Sequence, residues 1–195
     1  MKMDFIGPRI AYLFLTIIGL FFISCKDDVL PKPKAQLRLE YNTPEYSLTK
    51  SDCPYQFEFS TESFPTTNKK CWMNIEYPRL NASINLTYRP IDNNLKELFL
   101  ESEKLTFNHA IKADGITSVP YMNKAEQKYG AIYEVTGNAA SPLQFHITDS
   151  TNNFITGAVY FNVQPNYDSI IPAIKYLQRD IIHLMETLEW KTQNK

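Results

Sequence analysis

The chain has 195 residues, a formal net charge of −1 and 44% hydrophobic residues. A nearly neutral charge gives no electrostatic basis for a nucleic-acid partner, because such partners are bound mainly through clustered Lys and Arg. The chain also contains 12 Tyr, 12 Phe and only 6 Gly. This composition is typical of a sheet-rich folded domain and excludes a largely disordered chain.

The N-terminal segment has the features of an export signal. A weakly positive start is followed by an uncharged apolar run from residue 10 to residue 23. This run falls short of the about 20 residues that span a bilayer as a helix, so a signal peptide over residues 1–24 is favoured over a membrane anchor. Ser24 and Cys25 follow directly. A small residue before a Cys at this place is where lipoprotein signal peptidase cleaves, so we expect Cys25 to become the lipid-modified N-terminus.

Residues 25–50 are expected to form a lipid-anchored polar tether. The segment is rich in charged residues and contains two prolines separated by one residue, which is typical of an extended linker. An irregular first strand is the alternative, because Leu37 and Leu39 alternate with charged residues. A single folded domain is then predicted over residues 51–190.

Alternating apolar and polar residues predict several strands within this domain. The segments are residues 55–60, 72–77, 82–89, 129–135, 143–148 and 154–163, with a shorter candidate at 116–122. Period-two alternation with one apolar face is typical of an antiparallel sheet that is covered on that face.

A first helix is predicted from about residue 94 to residue 111. Asp92–Asn94 offers an N-cap, and apolar residues then recur every three or four positions. They are Leu95, Leu98, Phe99 and Leu105, followed by His109 or Ala110. We expect this face to pack on the sheet.

A second, longer helix is predicted from the cap at residues 166–169 to about Trp190, with a polar tail at 191–195. Its apolar stripe steps by three or four residues through Ile170, Ile174, Leu177, Ile181, Leu184 and Leu188. The element order therefore predicts an α+β fold. An antiparallel sheet of about six strands is covered by two helices, and the longer helix is C-terminal.

Cys53 and Cys71 remain after the lipid site is assigned. An even pair in an exported protein usually forms a disulfide, and on the chain-entropy model this bond would contribute about 3 kcal/mol. Two free thiols or a metal site are the alternatives. A metal site is disfavoured because the chain has no C-x-x-C pair and its histidines are scattered singly.

No catalytic residue, metal site or cofactor is predicted. His109, His146 and His183 each lack a patterned acidic neighbour, and no recognised nucleophile, zinc-protease or nucleotide-binding motif is present. We expect His146 to be exposed on its strand. His183 is expected to lie beside the apolar stripe of the second helix, and His109 is expected to end the first helix.

Several runs of the chain together resemble a known family. They are Val29–Lys34, Ser51–Tyr55, Cys71–Ile75, Gly137–Ser141, Pro165–Ser169 and Asp180–Trp190. In this order they resemble the gliding-motility lipoprotein GldD family of Bacteroidota over nearly the whole mature chain. The element order is also similar to the PsbP-like fold, an analogy that carries no function.

The resemblance implies a non-enzymatic envelope lipoprotein, required for gliding and linked to type IX protein secretion as an assembly or stabilising component. It implies an outer-membrane location through the acylated, palmitate-bearing Cys25 and partners among the other gliding and secretion proteins. The face of the membrane is left open. A lipid-anchored binding protein for a small ligand or glycan is the alternative, and a hydrolase is a third possibility without a nucleophile–base pair to support it.

Two short motifs each have two interpretations. Lys26, Asp27 and Asp28 resemble a signal that exports lipoproteins of this group to the cell surface, or they form a charged, solubilising spacer beside the lipid. Asp149–Thr151 resembles an O-glycosylation site at Ser150, or it forms a turn. A similar motif at Asp168–Ile170 is interpreted as a helix cap made by Ser169.

Overall fold

A seven-stranded antiparallel sheet forms the centre of the structure, a computed structural model that describes residues 41–109, 113–162 and 166–191. The strands, in chain order, are β1 (Tyr46–Leu48), β2 (Tyr55–Gln56), β3 (Glu58–Ser60), β4 (Phe64–Thr67), β5 (Met73–Tyr77), β6 (Ala82–Pro90), β7 (Ala113–Asn123), β8 (Lys128–Gly137), β9 (Leu143–Thr148), β10 (Asn153–Phe161) and β11 (Glu189–Trp190). The helices are α1 (Leu95–His109) and α2 (Tyr167–Thr187).

The main sheet has the strand order β4-β5-β6-β10-β9-β8-β7. The predicted α+β fold, with two helices of which the longer is C-terminal, is confirmed. The sheet has one more strand than the predicted six. The predicted strand at residues 55–60 is divided into β2 and β3, which pair with β11 and β1 in two small sheets outside the main one.

Helix α2 covers one face of the main sheet. Its apolar stripe packs against inward side chains of the sheet, and Leu177 and Ile181 are fully buried. Such a stripe buries itself because each apolar side chain removed from water contributes about 1.5–3 kcal/mol. The predicted end at Trp190 is wrong: the helix ends at Thr187 and Leu188 is extended, so that Glu189–Trp190 can pair with β2.

Helix α1 covers part of the opposite face. Leu98 is buried against the sheet as predicted, but Leu105 is 52% exposed. Ser102 and Thr106 face the sheet in its place and are both buried. The sheet beneath them is itself polar, so small hydroxyl side chains fit this interface better than a branched apolar one.

The folded domain begins before the predicted boundary at residue 51. Within the predicted tether, β1 pairs with β3, and the Tyr41 ring lies 5.2 Å from the Tyr176 ring. At the other end, Lys191 donates hydrogen bonds to the carbonyl oxygens of Pro54 and Ser51. The domain therefore includes residues 41–50, and Lys191 belongs to it rather than to a polar tail.

In the described ranges, no helix combines the length and apolar character needed to cross a bilayer.

Candidate functional site

The predicted lipidation site and sorting signal lie outside the described residues. Cys25, Lys26, Asp27 and Asp28 precede residue 41, where the description of the chain begins. Their roles therefore stay predictions.

Cys53 and Cys71 are joined by a disulfide. Their Cα atoms are 5.5 Å apart, inside the range that this bond requires. The bond ties the segment before β2 to the segment before β5, and Tyr55 donates its hydroxyl to the Cys71 carbonyl at 2.7 Å. The arrangement leaves neither sulfur available to bind a metal, and the described residues contain no group of three or more His, Cys, Asp or Glu that would hold one.

Ser150 lies in the exposed turn between β9 and β10. The Asp149 carboxylate beside it accepts hydrogen bonds from the backbone N–H groups of Thr151, Asn152 and Asn153 at 2.8–2.9 Å. Burial raises the pKa of Asp149, but these bonds outweigh it and hold the pKa below its usual value. Asp149 thus organises the turn, and Ser150 is presented to solvent with a φ of 65°.

The cap predicted for Ser169 is absent. The Ser169 hydroxyl donates to the Asn166 carbonyl at 2.9 Å, and Asn166, which precedes α2, makes no side-chain cap.

His146 is buried, contrary to the exposure predicted for it. It is 6% exposed and lies among the rings of Phe99, Tyr133 and Phe154, with centroid distances of 5.1 to 5.9 Å. Burial lowers the pKa of His146 to about 4, so the ring is neutral near pH 7. Its place is within an aromatic cluster under α1.

His183 lies on α2, where it contacts the small β1–β3 sheet. Its Nε2 is 2.7 Å from Glu58 Oε2, and its ring stacks on Tyr46 with centroids 3.6 Å apart. A hydrogen-bonded His and carboxylate can exchange a proton. Here, however, both groups are engaged in attaching β1 and β3 to the helix.

Asp180 is a buried carboxylate that the sequence interpretation missed. It is 4% exposed and accepts hydrogen bonds from the hydroxyls of Tyr46 and Tyr77 at 3.0 and 3.1 Å. Burial raises the pKa of Asp180 above its ordinary value, although the two tyrosines and nearby charges oppose that rise. Its position inside the apolar stripe of α2 is the sequence feature that could have predicted its burial.

Three amide side chains and one alanine form a row across the face of the sheet that α1 covers only in part. Asn74, Asn85, Ala158 and Gln144 stand opposite one another on β5, β6, β10 and β9. The row is three strand spacings long, or roughly 14 Å. The small side chain of Ala158 leaves a depression between amide groups on either side.

Two cavities lie along this row and share Asn85 and Thr87. One of about 240 Å³ lies between α1 and the sheet, where Gln144 and Thr156 contribute to its wall. The other, of about 480 Å³, opens beside Trp72. We call this continuous feature the polar groove and define it by Trp72, Asn74, Asn85, Thr87, Gln144 and Thr156.

Strand β7 forms one edge of the main sheet and offers a different kind of surface. It has 11 residues, and no strand of the described ranges pairs with its outer edge. Val119 and Met122 are 53% and 63% exposed on it. Pro120 lies between them, and proline in a sheet is typical of an edge, where its missing N–H is tolerated.

The sheet, its two helices and the disulfide together define a small α+β domain of the kind found in exported proteins. The chain belongs to the family of gliding motility lipoproteins GldD, whose family model matches residues 26–190. The resemblance noted in the sequence is thereby confirmed. A comparison with curated proteins gives no match.

Proposed function

We propose that this chain is a non-enzymatic, lipid-anchored subunit that assembles or stabilises the gliding machinery and the type IX secretion apparatus associated with it. The observation that carries the proposal is the family match over residues 26–190, which covers the described domain up to Trp190. Gliding motility lipoproteins act in the cell envelope, so the partners are other envelope proteins of that machinery.

The outer edge of β7, which no strand of the described ranges covers, is the surface that best suits such a partner. The unpaired backbone groups of an edge strand accept another strand or loop, and the strand carries a single charged residue, Asp114. Val119 and Met122 add exposed apolar area in its second half, on opposite faces of the sheet. A partner that presents an extended apolar segment would therefore dock here.

A non-catalytic role agrees with how the ionisable side chains are used. His146 is enclosed by aromatic rings, and Asp180 accepts hydrogen bonds from two tyrosines. Glu58 and His183 hold a small sheet against α2. We expect His183→Gln to support gliding at the parent level, whereas a catalytic histidine would not tolerate this change.

The test of the docking surface is complementation of a deletion strain with Val119→Lys and Met122→Lys together. Leu100→Lys is the matched control, because Leu100 is a 55% exposed apolar residue on α1. We expect the β7 variant to lower gliding and adhesin secretion and to lose crosslinks to envelope partners, with unchanged protein levels. Equal function of the β7 variant and the control would contradict the proposal.

The membrane attachment is tested separately. We propose that the lipid on Cys25 holds the domain to the outer membrane and that Lys26, Asp27 and Asp28 direct it to the outer surface. Replacing both aspartates with Ala should leave acylation and protein level unchanged but protect the domain from protease added to intact cells. If the parent resists the protease while a known surface lipoprotein is digested, the domain faces the periplasm and the charged cluster is a spacer.

A further inference from the structure

The polar groove has a lining that the assembly role does not use. The two cavities that compose it are lined by amides, hydroxyls, a few apolar groups and aromatic rings, with no charged side chain among the described residues of either wall. An anionic ligand such as a phosphate needs positive charge or a cluster of N–H donors. The lining therefore favours a neutral ligand that makes many hydrogen bonds.

Two amide groups of the groove retain unused hydrogen-bonding capacity. Gln144 is 5% exposed, and its Oε1 accepts a hydrogen bond from Thr106 at 3.2 Å, while its Nε2 has no partner among the described residues. Asn74 donates its Nδ2 to Glu76, while its Oδ1 is equally unpartnered there. A buried polar atom without a partner is unfavourable, so these two amides would gain hydrogen bonds by turning toward a ligand that offers an acceptor and a donor.

Trp72 provides an oriented aromatic surface at the open end of the groove. The ring is 41% exposed, and its Nε1 donates to the Tyr88 carbonyl at 3.2 Å. The Asn68 side chain accepts the backbone N–H of Trp72 at 3.1 Å and so secures the turn that carries it. The Lys70 ammonium lies 5.0 Å from the ring centroid over one face of the indole, so a ligand stacks on the other face or displaces this flexible side chain. An indole whose orientation is already restricted loses little entropy when a ligand stacks on it.

We propose that the polar groove binds a neutral oligosaccharide. Sugar rings present hydroxyls around their rims and C–H groups on their faces, and these match the amide row and the indole respectively. The row, roughly 14 Å long, would accommodate two or three sugar units, with the depression at Ala158 receiving one of them. This binding is independent of the β7 surface and of the assembly role.

The experiment is a titration of the 15N-labelled full chain in a zwitterionic detergent, since detergents with sugar headgroups would compete. The probes are maltotriose, cellotriose, mannotriose and chitotriose, which separate unsubstituted glycans from N-acetylated ones. NMR detects the side-chain amides of Asn74, Asn85 and Gln144 directly. We expect saturable shifts of these amides with at least one probe and a dissociation constant on the order of 1 mM.

Two variants locate the site. Trp72→Ala removes the stacking surface and Ala158→Phe fills the depression, so each should weaken binding at least about tenfold. Phe64→Ala and Thr117→Phe are the matched controls, because both residues are exposed and neither lines the groove. Retained chemical-shift dispersion of each variant shows that it is folded.

The proposal is overturned if none of the four probes shifts the groove amides at 10-fold above the expected dissociation constant. It is equally overturned if both groove variants bind as the parent does, or if an acidic trisaccharide binds more tightly than every neutral one. The parent titration decides the question even if a variant fails to fold.

Discussion

The hydroxyl of Tyr77 donates a hydrogen bond to the carboxylate of Asp180, with 3.1 Å between the oxygen atoms, in the core between the main sheet and α2. Tyr46 of β1 donates to the other carboxylate oxygen at 3.0 Å. One buried side chain thus joins the long helix, the main sheet and the small N-terminal sheet. Burial and Asp180 together raise the pKa of Tyr46 to about 12, so this phenol remains a donor throughout the physiological range.

Asp180→Asn is predicted to change how stability depends on pH. The folded-state pKa of Asp180 is raised, so its favourable contribution is complete below the unfolded value of about 3.9 and is lost as pH rises through the folded value. The variant lacks this loss. The free energy of unfolding of the variant relative to the parent should therefore increase as pH rises through the acidic range, as measured by urea unfolding.

Asp180→Ala is the companion measurement. It leaves two tyrosine hydroxyls without their acceptor and should cost about 2 kcal/mol or more at any pH. Parallel pH profiles for the parent and the Asn variant would show that Asp180 has an ordinary pKa in the folded chain.

His146→Phe is predicted to remove a pH dependence of stability that is opposite in direction to the one caused by Asp180. Because the folded pKa of His146 is about 4 and the unfolded value is about 6.5, the neutral ring contributes stability above pH 6.5 that is lost as pH falls toward 4. The loss amounts to about 3 kcal/mol at most. Unfolding at pH 7 and pH 5 should show a smaller loss of stability in acid for the variant than for the parent. A His146 resonance that titrates near pH 6.5 would refute this.

Loss of the disulfide is predicted to cost about 3 kcal/mol, because the cross-link restricts the unfolded chain. Cys53→Ser combined with Cys71→Ser, or reduction and alkylation of the parent, should lower the free energy of unfolding by this amount. Peptide mapping without reductant should recover the linked peptide from envelope-purified protein. Recovery of two free thiols would contradict the bond.

Two adjacent isoleucines of α2 provide a matched test of its packing. Ile181 is fully buried, whereas Ile182 is 39% exposed. Ile181→Asp should cost several kcal/mol because it places a charge in the core, and Ile182→Asp should change stability by less than about 1 kcal/mol. If the first variant does not fold, Ile181→Ala should still cost about 2–5 kcal/mol. Equal thermal midpoints for the two Asp variants would show that α2 is not docked through this stripe.

The β9–β10 turn contains a structural carboxylate, Asp149, directly before a candidate modification site, Ser150. Asp149→Ala should cost about 2 kcal/mol, because three backbone N–H groups lose their acceptor. Ser150→Ala should leave stability unchanged but remove any glycan mass from the peptide that contains the turn. An unmodified parent peptide in mass spectrometry would leave Asp149–Thr151 as a turn alone.

The sequence predicts the central strands and the longer helix well, because their periodic apolar residues meet one common core. It does not predict β1 and β4, which are three and four residues long and too short to display a period. The end of α2 at Thr187 could not be predicted from the sequence either. Leu188 continues the apolar stripe, and only the distant strand β2 makes the chain turn away from the helix.

The polar groove could not be derived from sequence for a related reason. Its amides come from separate strands, and only the register between those strands sets them in a row. Similarly, the exposure expected for His146 followed from its polar neighbours Gln144 and Thr148. In the structure that polar face is itself covered by α1, whose Thr106 bonds to Gln144.

With the N-terminal anchor proposed above, the position of the disulfide would have a mechanical consequence. Within the described residues, a pulling force that arrives at Tyr41 would peel β1 from β3. The unravelled length would end at Cys53, on the order of 40 Å along the chain. From that point the covalent bond would pass the load to Cys71 and hence to β5, in the seven-stranded sheet. The segment between Tyr41 and Cys53 would therefore extend by a limited length under load while the seven-stranded sheet stays folded.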